Sequence, residues 1–257
     1  MQNEVLLELY KSLESGYKCM LVTLFDNKGS VPGKQGNIMV VREDGKVFGT
    51  VGGGAIEYQL IQDSFENLNK ETDFEFDYSL NENSKVSMSC GGKASGFAKI
   101  FFPKPNLIIF GAGHCSQKLA RIATLTNFDV FVVDDRKEFE SCEDFSNIKK
   151  YINKEIKDSI KDLRFNADTY IISATRDHIH DEEVAFNVLS KTHRYFGMLG
   201  SKKKAAKLKQ NLLDRNVDKN LVEDIKVPVG LDIDDGSVEE IAISIMSQIL
   251  QVKNNKN

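Results

Sequence analysis

Hydrophobic spacing divides the chain into two stretches of different rhythm. In the first, Val5, Leu6, Leu9 and Leu13 recur at helical intervals, which predicts a helix over 4–15. The run Cys-Met-Leu-Val-Thr-Leu-Phe at 19–25 predicts a buried strand, and Asp26-Asn27-Lys28-Gly29-Ser30 a loop prolonged by Pro32-Gly33. A second strand is expected over 37–42, and Asp44-Gly45 turns it into a hairpin partner at 47–51. Gly52-Gly53-Gly54 leads into a helix over about 55–69. Strands are expected over 72–79 and 96–102, with the loop Ser87-Met88-Ser89-Cys90-Gly91-Gly92 between them.

The rhythm changes at Pro103-Lys104-Pro105-Asn106, where two prolines stiffen the chain. This marks a boundary between a smaller α+β domain over 1–103 and a second domain over 107–257. In the second, strands over 107–110, 130–133, 169–173 and 195–199 alternate with helices over 113–126, 181–189 and 203–213. That alternation predicts an α/β, Rossmann-like domain with a mostly parallel sheet and right-handed crossovers. A last helix begins near Ser237, where Ser237-Val-Glu-Glu240 has the form of a capping box, and the tail 253–257 is expected to fray.

Composition narrows the class. The 257 residues are 41% hydrophobic and 28% charged, ordinary for a globular protein, and either half is long enough to bury a core. A net charge of −4 gives no reason to expect nucleic-acid binding. No apolar run approaches the roughly 18–20 residues of a membrane span, and the N-terminus reads as an amphipathic helix rather than a signal peptide. Cysteines at 19, 90, 115 and 142 match no zinc spacing and suit a reduced compartment, so a cytoplasmic location is expected. Cys19, in an apolar strand, is expected to be core, and Cys115 and Cys142 inert.

Candidate chemistry collects at turns. Gly111-Ala112-Gly113-His114-Cys115-Ser116 follows a strand and opens a helix, the context in which glycines let backbone approach a phosphate. Glycines there can also serve helix–sheet packing alone. Asp134 and Asp135 end the next strand, at the place of a ribose-binding carboxylate. Strand ends on one side of a parallel sheet converge, so Gly111, Asp134, Arg176, His178 and Ser201 are expected to face one crevice. His114 reads as a positioning residue. The stretch 177–181 contains His and Asp but no standard zinc spacing, and Asp181 reads as a helix cap. Lys202, Lys203 and Lys204 read as a solvated helix face.

Two further glycine loops lie in the first domain. The N–H groups of Gly52, Gly53 and Gly54 offer an anion site, with Glu57 in the first helical turn; the alternative is a tight connection needing glycine for sterics. Cys90 beside Gly91 and Gly92 reads either as an accessible thiol able to hold a soft metal or sulfur, or as a small residue in a turn.

Taken together, these segments resemble the xanthine dehydrogenase accessory factor family, the molybdenum cofactor insertion chaperones. The resemblance spans nearly the whole chain. It rests on Gly29-Ser-Val-Pro32, Gly49-Thr-Val-Gly-Gly-Gly-Ala-Ile-Glu57 and Cys90-Gly91-Gly92, then on Leu107-Ile-Ile-Phe-Gly-Ala-Gly-His114, Val132-Val-Asp-Asp-Arg136, Thr175-Arg-Asp-His178, Tyr195-Phe-Gly-Met-Leu-Gly-Ser-Lys202 and Gly230-Leu-Asp-Ile233. It implies a non-catalytic chaperone that binds molybdenum cofactor (molybdopterin), protects its sulfurated form and delivers it to a molybdenum hydroxylase such as xanthine dehydrogenase. It also implies contact with a cysteine desulfurase. Cys90 is then the residue for the metal or its sulfur, the loop 52–54 receives part of the pterin, and the Rossmann crevice takes a phosphate or nucleotide portion. Where many members carry cysteine, this chain has Ala55; Ser116 and the pair Asp234-Asp235 also depart from the usual pattern. The alternative is an NAD(P)-dependent oxidoreductase built on Gly111, Gly113 and Asp134. A two-fold homodimer is the expected assembly.

Overall fold

A computed structural model describes residues 2–28, 33–79, 93–233 and 235–254. The loop carrying Cys90, Gly91 and Gly92, the segment Gly29–Pro32, Asp234 and the last three residues lie outside these. The chain forms two compact units, residues 1–104 and 105–257.

The first unit is an antiparallel sheet with a helix on each face. Its elements are α1 (Gln2–Glu14), β1 (Cys19–Lys28), β2 (Ile38–Arg42), β3 (Val47–Gly49), α2 (Gly54–Lys70), β4 (Phe74–Ser79) and β5 (Lys93–Phe101), and the strand order is β3-β2-β1-β5-β4. Period-two alternation sorts β1 between two cores. Met20, Val22 and Leu24 point to the side of Ile56, Leu60 and Leu68 of α2, while Cys19 and Leu21 join Val5 and Leu9 of α1. Cys19 is fully buried, and burial pushes its thiol up to about 11, so it is not a nucleophile. Asp26-Asn27-Lys28, expected in a loop, instead extends β1. After a bulge between Leu24 and Asp26, the chain pairs with Ser95, Ala94 and Lys93 of β5. Ladder pairing uses backbone groups, so it continues beyond the apolar run that signalled the strand.

The second unit holds a five-stranded parallel sheet. Its elements are β6 (Asn106–Phe110), α3 (His114–Leu125), β7 (Asp129–Val133), β8 (Lys150–Ile152), α4 (Ile156–Ser159), β9 (Thr169–Ser173), α5 (His178–Val188), β10 (Tyr195–Met198), α6 (Lys202–Asp214), α7 (Lys219–Glu223) and α8 (Val238–Lys253). The strand order β10-β9-β6-β7-β8 is that of a Rossmann sheet, with β6 at its centre. Leu107 and Ile109 of β6 face α3 and α8, whereas Ile108 and Phe110 face α5 and α6. A strand buried on both sides reads as an uninterrupted apolar run. Lys226 bridges Gly197 on the free side of β10, shielding that edge. The motif at Gly230 is a packing joint: Gly230 has φ +104°, a Cβ there would lie 2.4 Å from Ser244 Oγ, and its N–H donates to Gln248.

One expected boundary moves. Helix α5 starts at His178, because Asp177 and not Asp181 is its cap, accepting from the N–H groups of Ile179 and His180. Ser237 caps α8 as expected, but Glu240 reaches past it to the N–H of Asp235 at 2.7 Å, and Asp235 accepts from Ser237 N–H.

Candidate functional site

In the second unit, β6 and β9 are neighbours whose following helices leave on opposite faces of the sheet. Their C-terminal ends therefore open a crevice at the topological switch point, the usual ligand position in such sheets. The turn Gly111-Ala112-Gly113 lies at its rim. Its two glycines have different causes. Gly111 has φ +102°, and a Cβ would stand 2.2 Å from the Ala174 carbonyl oxygen, so the fold itself demands glycine. Gly113 has an ordinary φ of −66°, and a Cβ there would meet nothing within 4 Å. Nothing among the described residues requires glycine at 113. Ser116, on the first turn of α3, is buried, and its hydroxyl has no hydrogen-bond partner among the described residues.

Asp134 is buried and fully engaged within the protein. It accepts from Ala112 N–H at 2.7 Å, and from the Arg136 backbone N–H, Nε and Nη2 at 3.0, 2.9 and 2.8 Å. Burial alone would raise its pKa, but the bonds from Arg136 and Ala112 outweigh burial and hold the carboxyl below its ordinary value. Asp134 thus ties the glycine turn to the end of β7. Asp135 is exposed and faces the crevice.

A narrow cleft enclosing about 30 Å³ runs from this turn and is lined by Gly111, Asp134, Asp135, Lys154, Arg176 and His180, among others. Arg176 pairs with Asp135 at 2.9 Å, bridging the ends of β9 and β7. His180 Nδ1 lies 2.7 Å from Asp177 Oδ1, and its Nε2 is 3.3 Å from Arg176 Nη2. This pattern suits a neutral imidazole that donates from Nδ1 to Asp177 and accepts from Arg176 at Nε2. Bonds from the His180 backbone and ring bring the Asp177 carboxyl down to about 2.

Of the five residues expected in one crevice, Gly111, Asp134 and Arg176 line this cleft. Ser201 does not. It caps α6 beyond β10, with β9 standing between β10 and β6. His178 is the first residue of α5, and its side chain lies outside what is described; His180 lines the cleft instead. His114 is exposed at the first position of α3. Asp135, named with Asp134 at the end of the strand, also lines the cleft, whereas Lys154 and His180 were not expected there. His180 sits beside residues that were, while Lys154 follows a three-residue strand with no readable period. Asp181 reaches back to Ser173 Oγ and Thr175 Oγ1, each at 2.7 Å, rather than capping a helix. Among the described residues no group of three or more His, Cys, Asp or Glu is placed to hold a metal ion.

The glycine loop of the first unit has an internal acceptor. Glu57 Oε2 accepts from the N–H groups of Val51 and Gly53, each at 3.0 Å, and from the Thr50 hydroxyl. Gly52 N–H donates to Thr50 Oγ1 at 2.9 Å. Gly52, Gly53 and Gly54 all have positive φ, so the path of the loop itself requires glycine. The carboxylate expected beside an anion site is itself the anion this loop holds.

No helix among the described residues is long and apolar enough to cross a membrane. Residues 107–249 match the XdhC Rossmann domain, and residues 12–78 match the XdhC and CoxI family. The chain is 30% identical over 251 residues to Uncharacterized protein YqeB of Escherichia coli (strain K12), covering 96% of this chain and 46% of that one. It is 30% identical over 151 residues to a probable xanthine dehydrogenase subunit of Bacillus subtilis (strain 168), covering 59% of this chain and 44% of that one. The chain therefore spans less than half the length of both curated relatives. A crystal structure of a xanthine dehydrogenase from Bacillus halodurans shares the fold, with a TM-score of 0.55 at 22% identity over 97% of this chain and 96% of that chain. The Rossmann strand order, the glycine turn at its switch point and the match over 107–249 converge on one conclusion: the chain belongs to the XdhC family.

Proposed function

We propose that this protein is a molybdenum cofactor-binding chaperone serving a xanthine dehydrogenase-type hydroxylase. Family membership and the relative named as a probable xanthine dehydrogenase subunit support the connection to that enzyme. The observation that carries the reading is Gly113, a glycine with no conformational or packing cause among the described residues, at the N-terminus of α3. Molybdopterin bears a terminal phosphate, and the residues at this turn fit one. Backbone can approach closely at Gly113, the first N–H groups of α3 point outward from the helix end, and the orphaned hydroxyl of Ser116 sits on that same first turn. The guanidinium of Arg176 adds a countercharge. Its pair with Asp135 is partly exposed, worth about 1 kcal/mol, so an incoming phosphate can displace the aspartate. Cys90, outside the described residues, is the proposed holder of the metal or its sulfur.

When bound, the cofactor supplies the redox metal that the client enzyme uses; the chain's own part is to hold and shield it. Receipt of sulfur from a cysteine desulfurase and action as a homodimer belong to the same proposal. The test is transfer. Pure protein loaded anaerobically with sulfurated cofactor should restore activity to a cofactor-free hydroxylase, and Cys90→Ala should reduce that activity severalfold. Restoration equal to that by free cofactor would overturn the proposal.

The second reading, an NAD-dependent oxidoreductase, is favoured by the Rossmann strand order and by Asp135, an exposed carboxylate at the end of β7 placed to meet a ribose diol. It requires saturable enhancement of NADH fluorescence on titration, and it fails without that signal.

A further inference from the structure

A second cavity lies in the second unit, between α5 and α6, next to the C-terminal end of β10. It encloses about 260 Å³, just under the roughly 300–1,000 Å³ common for small-molecule sites. Met198 and Leu208, both buried, give it an apolar floor, and Lys203, Lys204 and Lys207 form its wall.

Asp181 and Glu182 also line the cavity, and both carboxylates are already matched. Asp181 is held by the Ser173 and Thr175 hydroxyls. Glu182 accepts from Asn211 at 2.8 Å and pairs with Arg215 at 3.4 Å. The three lysines have no ion-pair partner among the described residues. Their placement works against the helix that carries them. Lys203 and Lys207 are like charges one turn apart, and Lys203 and Lys204 sit in the first turn of α6, where acidic residues are favoured and none is present. Lys203, Lys204 and Lys207 are exposed, as a solvated face would be, and they border the cavity with its apolar floor. A local conflict of this kind, with no compensation inside the fold, is the mark of a site shaped for something else.

We propose that this cavity binds a small phosphate-bearing ligand with an apolar body, the phosphate on Lys203, Lys204 and Lys207 and the body over Met198 and Leu208. It is a different site from the crevice at Gly113, and its occupancy does not depend on the reading of that crevice.

Amide resonances of the full chain, followed while phenyl phosphate is added, test this directly. Saturable shifts are expected at Met198 and at residues 203–208. Inorganic phosphate should produce the same shifts about tenfold more weakly, since it leaves the floor uncovered. The triple variant Lys203→Gln, Lys204→Gln, Lys207→Gln should lose those shifts, yet melt at the same temperature as the parent or slightly above it, because the repulsion is gone. Shifts confined to 111–116, shifts that persist in the triple variant, or equal affinity for the two probes would each overturn the proposal. A triple variant that melts well below the parent would also overturn it, since the lysines would then be supporting the fold.

Discussion

The two glycine-rich turns of this chain each open a helix and each engage a carboxylate, but they differ in where that carboxylate comes from. Ahead of α2, Glu57 belongs to the very helix the turn opens and closes the turn on itself, taking the N–H groups of Val51 and Gly53. Ahead of α3, Asp134 arrives from the neighbouring strand and takes Ala112 N–H, on the strand side of Gly113. The first turn is a nest already filled by the protein. The second is pinned from behind and leaves the helix end facing outward. Glycine content alone does not separate these cases. What separates them is whether each glycine has a cause within the chain: positive φ at 52–54, positive φ and a carbonyl at contact distance at 111, and neither at 113.

Substitutions in the two turns should fall in a definite order. Gly111→Ala should be the most damaging, because it forces a methyl onto the Ala174 carbonyl at an unfavourable φ. Stability measured by urea unfolding should fall by about 3 kcal/mol or more. Glu57→Ala removes the acceptor shared by two N–H groups and a hydroxyl and should cost about 2–3 kcal/mol by the same measurement, with no loss of affinity for cofactor.

Asp134→Asn is next, at about 2 kcal/mol near neutral pH, and its cost should depend on pH. The folded carboxyl titrates below its unfolded value of about 3.9, so its contribution is fully present above that pH and is lost as pH falls through the folded value. Wild type and variant should therefore converge in stability in acid, as read by unfolding at stepped pH. Gly113→Ala should change stability least, by about 0.5 kcal/mol or less, since the φ is ordinary and the space open. It should still weaken phosphate-dependent binding.

The chemistry of these turns was only half legible in the sequence. Strands β6, β7, β9 and β10 announced themselves as apolar runs, and with them the Rossmann sheet. Strand β8 has three residues, and the single-turn helices around it carry no measurable period, so the segment 137–168 and the cleft residue Lys154 stayed hidden. The start of α5 was misplaced because Asp177 and Asp181 both suit a cap. The choice went to Asp177 because Asp181 is drawn back to Ser173 and Thr175, contacts that only the fold creates. Likewise the acidic residue after β7 was legible as a type and not as a role: Arg136, two residues on, occupies the carboxylate of Asp134 and leaves Asp135 toward the crevice.

The decisive experiment is to measure molybdopterin retained per chain after anaerobic loading and gel filtration, in Gly113→Asp and in Glu57→Gln. A carboxylate at 113 places negative charge where the phosphate is proposed to sit, whereas Glu57→Gln alters only the self-filled turn. Gly113→Asp should lose the pterin while Glu57→Gln keeps it at the wild-type level. Retention by Gly113→Asp, or loss confined to Glu57→Gln, would refute a cofactor site at the open helix end.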